Sequence, residues 1–507
     1  MKKLSFFLIC VIIALLGIVQ AFAITDTKIS GETSRTTSEL YDGVTYTHIS
    51  LGTDSSYGQQ EIFIVEFDPT QSDLTVDVVG GGDYANNLAN VKTTIENYNK
   101  KYKGVKTAIS AINGDMWMVS YAHARVEGSG TSYGGYSDAV VTHSLTLPRG
   151  MEIYDGEIIS SPHTTQETPY EGAFQCFGFT ADGRTVMGTP ALTIKCENLT
   201  QGTAAVKLTG LNRLPADNAL MLYSDKGCED NYSLDDAYEI IIDCGYDYKI
   251  TNNAVITGKV TKICKSGDKN QKMKANRLII TARGDKYINK VNGIQVGDEL
   301  QFTFTIKASK SQQEIWNDVV NAVGGHCVLI QDGKAQSNGD STRYPTSIIG
   351  NMPNGNVIFI TMDGRQSGYA VGMKIGEMPS FLKTLGVQNA FLLDGGGSAT
   401  MVNTSKSGGY EYVNKPSDGS PRSVVNSIIL SYLSEPKATA TPEATATPEA
   451  TATPEVTSTP EALETEAAEE SSQPEKDTGC GSVLISPAAI LALIICLICL
   501  IKRKLNT

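Results

Sequence analysis

Apolar residues recur along this chain with two periods, and the period changes at definable points. "EIFIVEF" at 61–67 alternates, "LTVDVV" at 74–79 follows it, and both read as strands. From about Leu88 to Lys101 the spacing predicts a helix, and "VKTAISAING" then predicts a strand that ends in the polar Asn113-Gly114-Asp115. Between 139 and 307 short strands are separated by turns such as "YDGEI", "ADGRTV" and "VGDELQF", so the middle of the chain is expected to be β-rich.

The clearest unit comes after that. "NVIFITMDG", 356–364, is an apolar strand ending at Asp363. "IGEMPSFLKTLG" then sets Ile375, Met378, Phe381, Leu382 and Leu385 on one helical face, with Gly386 as the stop. "NAFLLD" is a second strand, ending at Asp394. Strand, helix, strand predicts a parallel pair joined by a right-handed crossover. The expected fold is therefore α+β (mixed α/β): one large β-rich domain over 61–433 with a parallel β-α-β unit at its site, after an N-terminal lead-in at 24–60.

Parallel strands finish at the same edge of a sheet, so Asp363 and Asp394 should face one crevice. If the strand ending at Asn113 is parallel to them, Asn113 and Asp115 join that edge. Adjacent strands lie about 4.8 Å apart, which puts two carboxyls within the roughly 5 to 9 Å that glycoside hydrolysis uses. Asp394 opens "DGGGS", and the amides of Gly395, Gly396 and Gly397 could approach an anion with no Cβ in the way, with Ser398 adding a hydroxyl. A bare Asp-Gly turn is the alternative for both acids, although "DGGGS" holds two glycines more than a turn needs.

Composition and the chain ends narrow the function classes. The formal net charge is −13 and no Lys/Arg-rich helix offsets it, which argues against a nucleic-acid partner. Residues 1–23 have the layout of a secretory signal. Residues 434–478 form a Thr/Pro/Glu-rich stalk with a repeating "ATATPE", expected to be disordered and extended. Residues 482–501 form an apolar run long enough to cross a bilayer, and the tail 502–507 begins with Lys502, Arg503 and Lys504. The expectation is a single-pass membrane protein on a bacterial surface of Gram-positive type, with the large domain outside. Cys176, Cys196, Cys228, Cys244, Cys264 and Cys327 allow fifteen pairings and none is preferred. The domain has no Cys-x-x-Cys pair and its histidines are scattered singly, so neither a metal nor a cofactor is expected.

Six motifs then occur in order: "NGDMW" at 113, "GGHCVLIQDGK" at 324, "RYPTSIIG" at 343, "TMDGRQSGYAVGM" at 361, "NAFLLDGGGSATMV" at 389 and "VNKPSDGSPRSVVNSIIL" at 413. The series resembles the phosphodiester glycosidase family. That resemblance implies hydrolysis of a sugar-1-phosphodiester to free sugar and a phosphomonoester, with cell-surface or extracellular glycopolymers as the substrate class. It implies Asp363 and Asp394 as the catalytic carboxyls, their individual roles open. It places Asn113, Asp115, Arg365, Gly395 to Gly397, Ser398 and Arg422 around the substrate. One departure stands out: the family's Arg-Thr-Ala-x-Gly run is matched by "RYPTSIIG", with Thr346 where the Arg belongs. A guanidinium is the natural bidentate partner of a phosphodiester, and Arg343, three residues earlier, is the candidate replacement. The rival readings are a non-catalytic surface carbohydrate-binding protein using the same cleft, and a structural module in which the Asp-Gly pairs only make turns.

Overall fold

The structure, a computed structural model, describes residues 24, 27–117, 147–162, 174–213, 218–229, 231, 236–265, 272–336 and 341–435. The expected signal, most of the stalk, the apolar run at 482–501 and the basic tail lie outside these residues. No helix among the described residues is long and apolar enough to cross a membrane.

The fold is built on two sheets whose alternating side chains fill two different cores each. In the strand Gln60–Phe67, Phe63, Val65 and Phe67 point to one side and Ile62 and Ile64 to the other. The strand Val357–Met362 does the same, with Val357 and Phe359 on the first side and Ile358, Ile360 and Met362 on the second. Burial on both faces is why these segments read as unbroken apolar runs. On the second side the short helix Met378–Thr384 covers the sheet with Met378, Phe381 and Leu382. On the first side sits a five-stranded antiparallel sheet that contains Lys106–Asn113, Met401–Thr404 and Asn426–Leu433. Its outer face, with Ala108, Ala111 and Ile429, is covered by the helix Val91–Lys101 through Val91, Ile95 and Tyr98. The result is a helix, sheet, sheet, helix stack.

The stretch expected as a lead-in supplies two strands of the first sheet, Glu32–Tyr41 and Val44–Leu51, and the second pairs along its whole length with Gln60–Phe67. The middle is β-rich as the turn spacing predicts. A second eight-stranded sheet is built from strands between Ala191 and Lys307, and a five-stranded sheet joins Glu152–Ser160, Cys176–Gly188 and Val319–Gly324. Cys176, Cys196, Cys244 and Cys327 are thiols, the first three buried.

Two topological expectations need correcting. Val357–Met362 and Asn389–Gly395 run parallel, but they are not neighbours, because Thr346–Asn351 lies between them and is antiparallel to both. The cause is local: Pro353-Asn354-Gly355, with Gly355 at φ 95°, folds Thr346–Asn351 back onto Val357–Met362 as a hairpin. The strand ending at Asn113 belongs to the other sheet. It reaches Asp394 across the interface between sheets instead of along one edge.

Candidate active site

Asp394 sits where the two sheets meet. Its amide donates to the Gly114 carbonyl at 3.0 Å, and the Asn113 side-chain amide donates to the Asp394 carbonyl at 2.9 Å. Asn113 is fully buried, and its Oδ1 accepts from Ser347 Oγ at 2.6 Å and from the Thr400 amide at 3.1 Å. It is a clamp between sheets, buried away from the cavity.

The Asp394 carboxylate is half-buried and faces a cavity of about 310 Å³, whose wall includes Arg365, Arg422, His326, Tyr344, Thr346 and Met116. Burial pushes its acid up to about 6, against the opposing pull of Ser398, the Gly395 amide, Arg422 and Arg149. Directly behind it lies Asp115, fully buried, with Oδ2 accepting from the Gly150 amide at 2.7 Å and Oδ1 without a partner. Burial pushes Asp115 up to about 7, and the neighbouring Asp394 charge adds to the rise. Two acids of the site therefore titrate near neutrality, from different depths.

The three glycines have separate causes. Gly396 adopts φ 63°, the left-handed region, which turns the chain into the short 3-10 turn Gly396–Ser398. At Gly397 a Cβ would lie 2.0 Å from Asp418 Oδ2 and 2.4 Å from Arg422 Nη2, so glycine is what lets that ion pair approach the turn. The expected anion cradle is not formed by the first two amides. Gly395 N donates to its neighbour Asp394 Oδ1 at 2.9 Å, and Gly396 N donates to the Pro345 carbonyl at 2.9 Å.

The positive charge comes from side chains. Arg422 pairs with Asp418 at 2.6 Å, and its Nη1 stands 3.5 Å from Ser398 Oγ. Arg365 holds a backbone φ of 60°, sparsely populated for a residue with a side chain, and such strain is retained where the surroundings impose it. Its guanidinium stacks over the Tyr344 ring, 5.2 Å from the centroid, and lies beside Gly396.

Asp363 is not beside Asp394. It is 1 % exposed, and its carboxylate accepts from Asn414 Nδ2 at 2.9 Å, the Lys415 amide at 2.8 Å and Tyr369 hydroxyl at 2.9 Å. Burial still raises its acid above the usual range, chiefly opposed by Asn414. With its lone pairs engaged, Asp363 fastens the 364–372 loop, which carries Arg365, to the 414–422 segment, which carries Arg422. Arg343 is likewise held elsewhere, donating to the Tyr57 and Gly372 carbonyls at 2.8 and 2.9 Å and pairing with Glu377 at 3.1 Å. The Thr346 side chain does line the cavity, and its buried Oγ1 has no partner.

Of the residues expected from sequence, the cavity wall takes Asp394, Gly395, Gly396, Arg365 and Arg422, while Asn113, Asp115, Gly397 and Ser398 lie immediately beneath. His326 and Tyr344 were not singled out, although both stand inside quoted motifs, "GGHCVLIQDGK" and "RYPTSIIG".

Comparison with known proteins bears on this arrangement. Over 110 residues, 20 % of the chain, it is 37 % identical to an SPbeta prophage-derived uncharacterized protein of Bacillus subtilis (strain 168), and spans 16 % of that relative's length. A hypothetical protein from Synechocystis superposes with a TM-score of 0.58 at 18 % identity, over 80 % of this chain and 64 % of its own. A putative exported protein from Burkholderia pseudomallei K96243 gives a TM-score of 0.58 at 14 % identity, over 81 % of this chain and 99 % of its own. Both likenesses concern the fold alone. Residues 251–431 match the family model described as phosphodiester glycosidase, and Asp363, Arg365, Asp394 to Ser398 and Arg422 all fall inside the match. That match covers the part of the chain that carries the carboxylate and the arginines.

Proposed function

We propose that this protein hydrolyses a sugar-1-phosphodiester to free sugar and a phosphomonoester, as an exported, membrane-anchored enzyme acting on cell-surface or extracellular glycopolymers. The observation that carries the reading is the convergence of one half-buried carboxylate, Asp394, and two guanidiniums, Arg365 and Arg422, on one cavity. Two fixed guanidiniums suit a phosphodiester, whose charge is spread over its oxygens. A phosphate monoester is a good leaving group, so cleavage of the anomeric C–O bond needs little protonation. What it needs is charge at the developing oxocarbenium centre and a group that acts on water or on the anomeric carbon. Asp394, ionised through most of the neutral range, supplies both, and the arginines stabilise the departing phosphate. Asp115, deeper and harder to ionise, keeps a second full charge from forming behind it.

A second reading rests on Thr346. At the position where the family's Arg is expected stands Thr346, whose buried hydroxyl has no partner, and a binding protein that has lost turnover accounts for that as well. The exported domain, incubated with a panel of sugar-1-phosphodiesters, separates the two: free sugar supports the enzyme, and retention of the intact diester supports the binder.

A further inference from the structure

Behind Asp115 lies another acid that the reaction scheme leaves unused. Glu152, on the strand Glu152–Tyr154, is 2 % exposed and its Oε2 has no partner. Asn426 stands between the two: its Oδ1 accepts the Asp115 amide at 2.8 Å, and its Nδ2 is turned to the Glu152 side without completing a good hydrogen bond. Asp115 in turn adjoins Asp394 through the Gly114 carbonyl. Three acids thus form a file. Its outer end, Asp394, opens on the candidate active site, while its inner end, Glu152, belongs to the wall of a separate polar groove of about 1190 Å³ beside Gly80, Tyr102 and Tyr154.

Two buried carboxyls with an unpartnered oxygen apiece are poorly suited to full charge, because nothing replaces the water each oxygen would lose. The charged groups that face Glu152 are Asp115 and Arg213; those that face Asp115 are Arg149 and Asp394, with the Cys176 thiol close by. Neither Arg213 nor Arg149 prevents burial from dominating, and Glu152 is pushed up to about 8.

We propose that Glu152 is a positioning residue of this site: it and Asp115 form a buried, proton-holding pair behind Asp394, and the groove over Glu152 is where that pair exchanges protons with solvent. The pair sets the charge that Asp394 experiences without touching substrate, and its protons do not travel through the substrate cavity. The consequence for catalysis rests on the glycosidase reading; the protonation itself does not.

The test is a titration of the intact exported domain, carboxyl-labelled with carbon-13 at Asp and Glu and followed by NMR from about pH 5 to about pH 9. In the parent protein two coupled carboxyl steps are expected above that of Asp394 at about 6, one at about 7 and one at about 8. In Glu152→Gln, close to the neutral acid in shape, the upper step should vanish and the lower should stay near about 7, because Glu152 is still uncharged when Asp115 ionises. The pH profile of sugar release should lose its dependence at that same upper step. If no carboxyl of the parent titrates above the Asp394 step, or if Glu152→Gln keeps the step at about 8, the proposal fails. Because the parent's titration needs neither turnover nor the variant, an inactive protein or an unfolded Glu152→Gln leaves the test intact.

Discussion

Replacing Gly397 by alanine separates anion binding from folding at this site. The added Cβ would sit 2.0 Å from Asp418 Oδ2, where ordinary contact begins at 3.4 Å, so the Asp418–Arg422 pair must withdraw by about 1.4 Å. Arg422 Nη1, already 3.5 Å from Ser398 Oγ, then leaves the cavity wall. The stability cost is small for two reasons. The ion pair is more than a third exposed and is worth about 0 to 1 kcal/mol, and alanine regains about 0.4 to 1 kcal/mol by restricting the unfolded chain. The loss of a charged hydrogen bond to the ligand is larger, about 1.5 to 3 kcal/mol, or about ten- to a hundred-fold in affinity. Calorimetric titration with inorganic phosphate, alongside thermal scanning, reads both quantities. Gly397→Ala should weaken phosphate binding by that factor with the melting temperature almost unchanged. Parental affinity would refute Arg422 as the anion contact, and a fall of many degrees would show that the turn packs more tightly than this account allows.

Other consequences are testable in the same way. Asp363→Asn turns one of three accepting contacts into a donor clash, so it should cost about 1 to 3 kcal/mol in urea unfolding and raise KM through the misplaced arginines; an unaltered midpoint would contradict its positioning role. Thr346→Arg restores a guanidinium to the cavity wall and should raise activity on a glycosyl phosphodiester about ten- to a hundred-fold if the contact is made in the transition state; no change at all would show that the existing arginines already suffice. Asp394, Asp115 and Glu152 titrate at about 6, 7 and 8, well above their unfolded values, so the folded state holds protons that the unfolded chain releases. Stability should therefore be fullest below about pH 4 for these groups and fall as pH rises toward about 8, by about 1.4 kcal/mol per pH unit for each proton retained. A urea midpoint that rises across that window would contradict the burial of the three acids.

What the sequence made legible followed periodicity and chain order. The helix over Met378–Thr384, the parallel sense of the strands ending at Asp363 and Asp394, and the β-rich middle all appear as expected. The intruding strand Thr346–Asn351 was hidden because an apolar run says nothing about which neighbour it takes, although Pro353-Asn354-Gly355 carried the hairpin signal. Asp363 and Asp394 share a residue type and a strand-end position, and only tertiary contacts separate them: Asn414, Lys415 and Tyr369 close around the first and leave the second facing a cavity. Asp115 was placed near the site by its motif, but its depth comes from packing between sheets that local pattern does not encode. Arg343 looked like a spare guanidinium until the Tyr57 and Gly372 carbonyls and Glu377 took up its donors.

The most direct measurement is the release of free sugar from a panel of glycosyl phosphodiesters by the protein, compared with Asp394→Asn and with thermal unfolding of both. The account predicts sugar and phosphomonoester in equal amounts from the parent, and a loss of turnover of orders of magnitude in Asp394→Asn at a nearly unchanged melting temperature. Equal turnover by parent and variant, or diester that is bound and never cleaved by either, would contradict it.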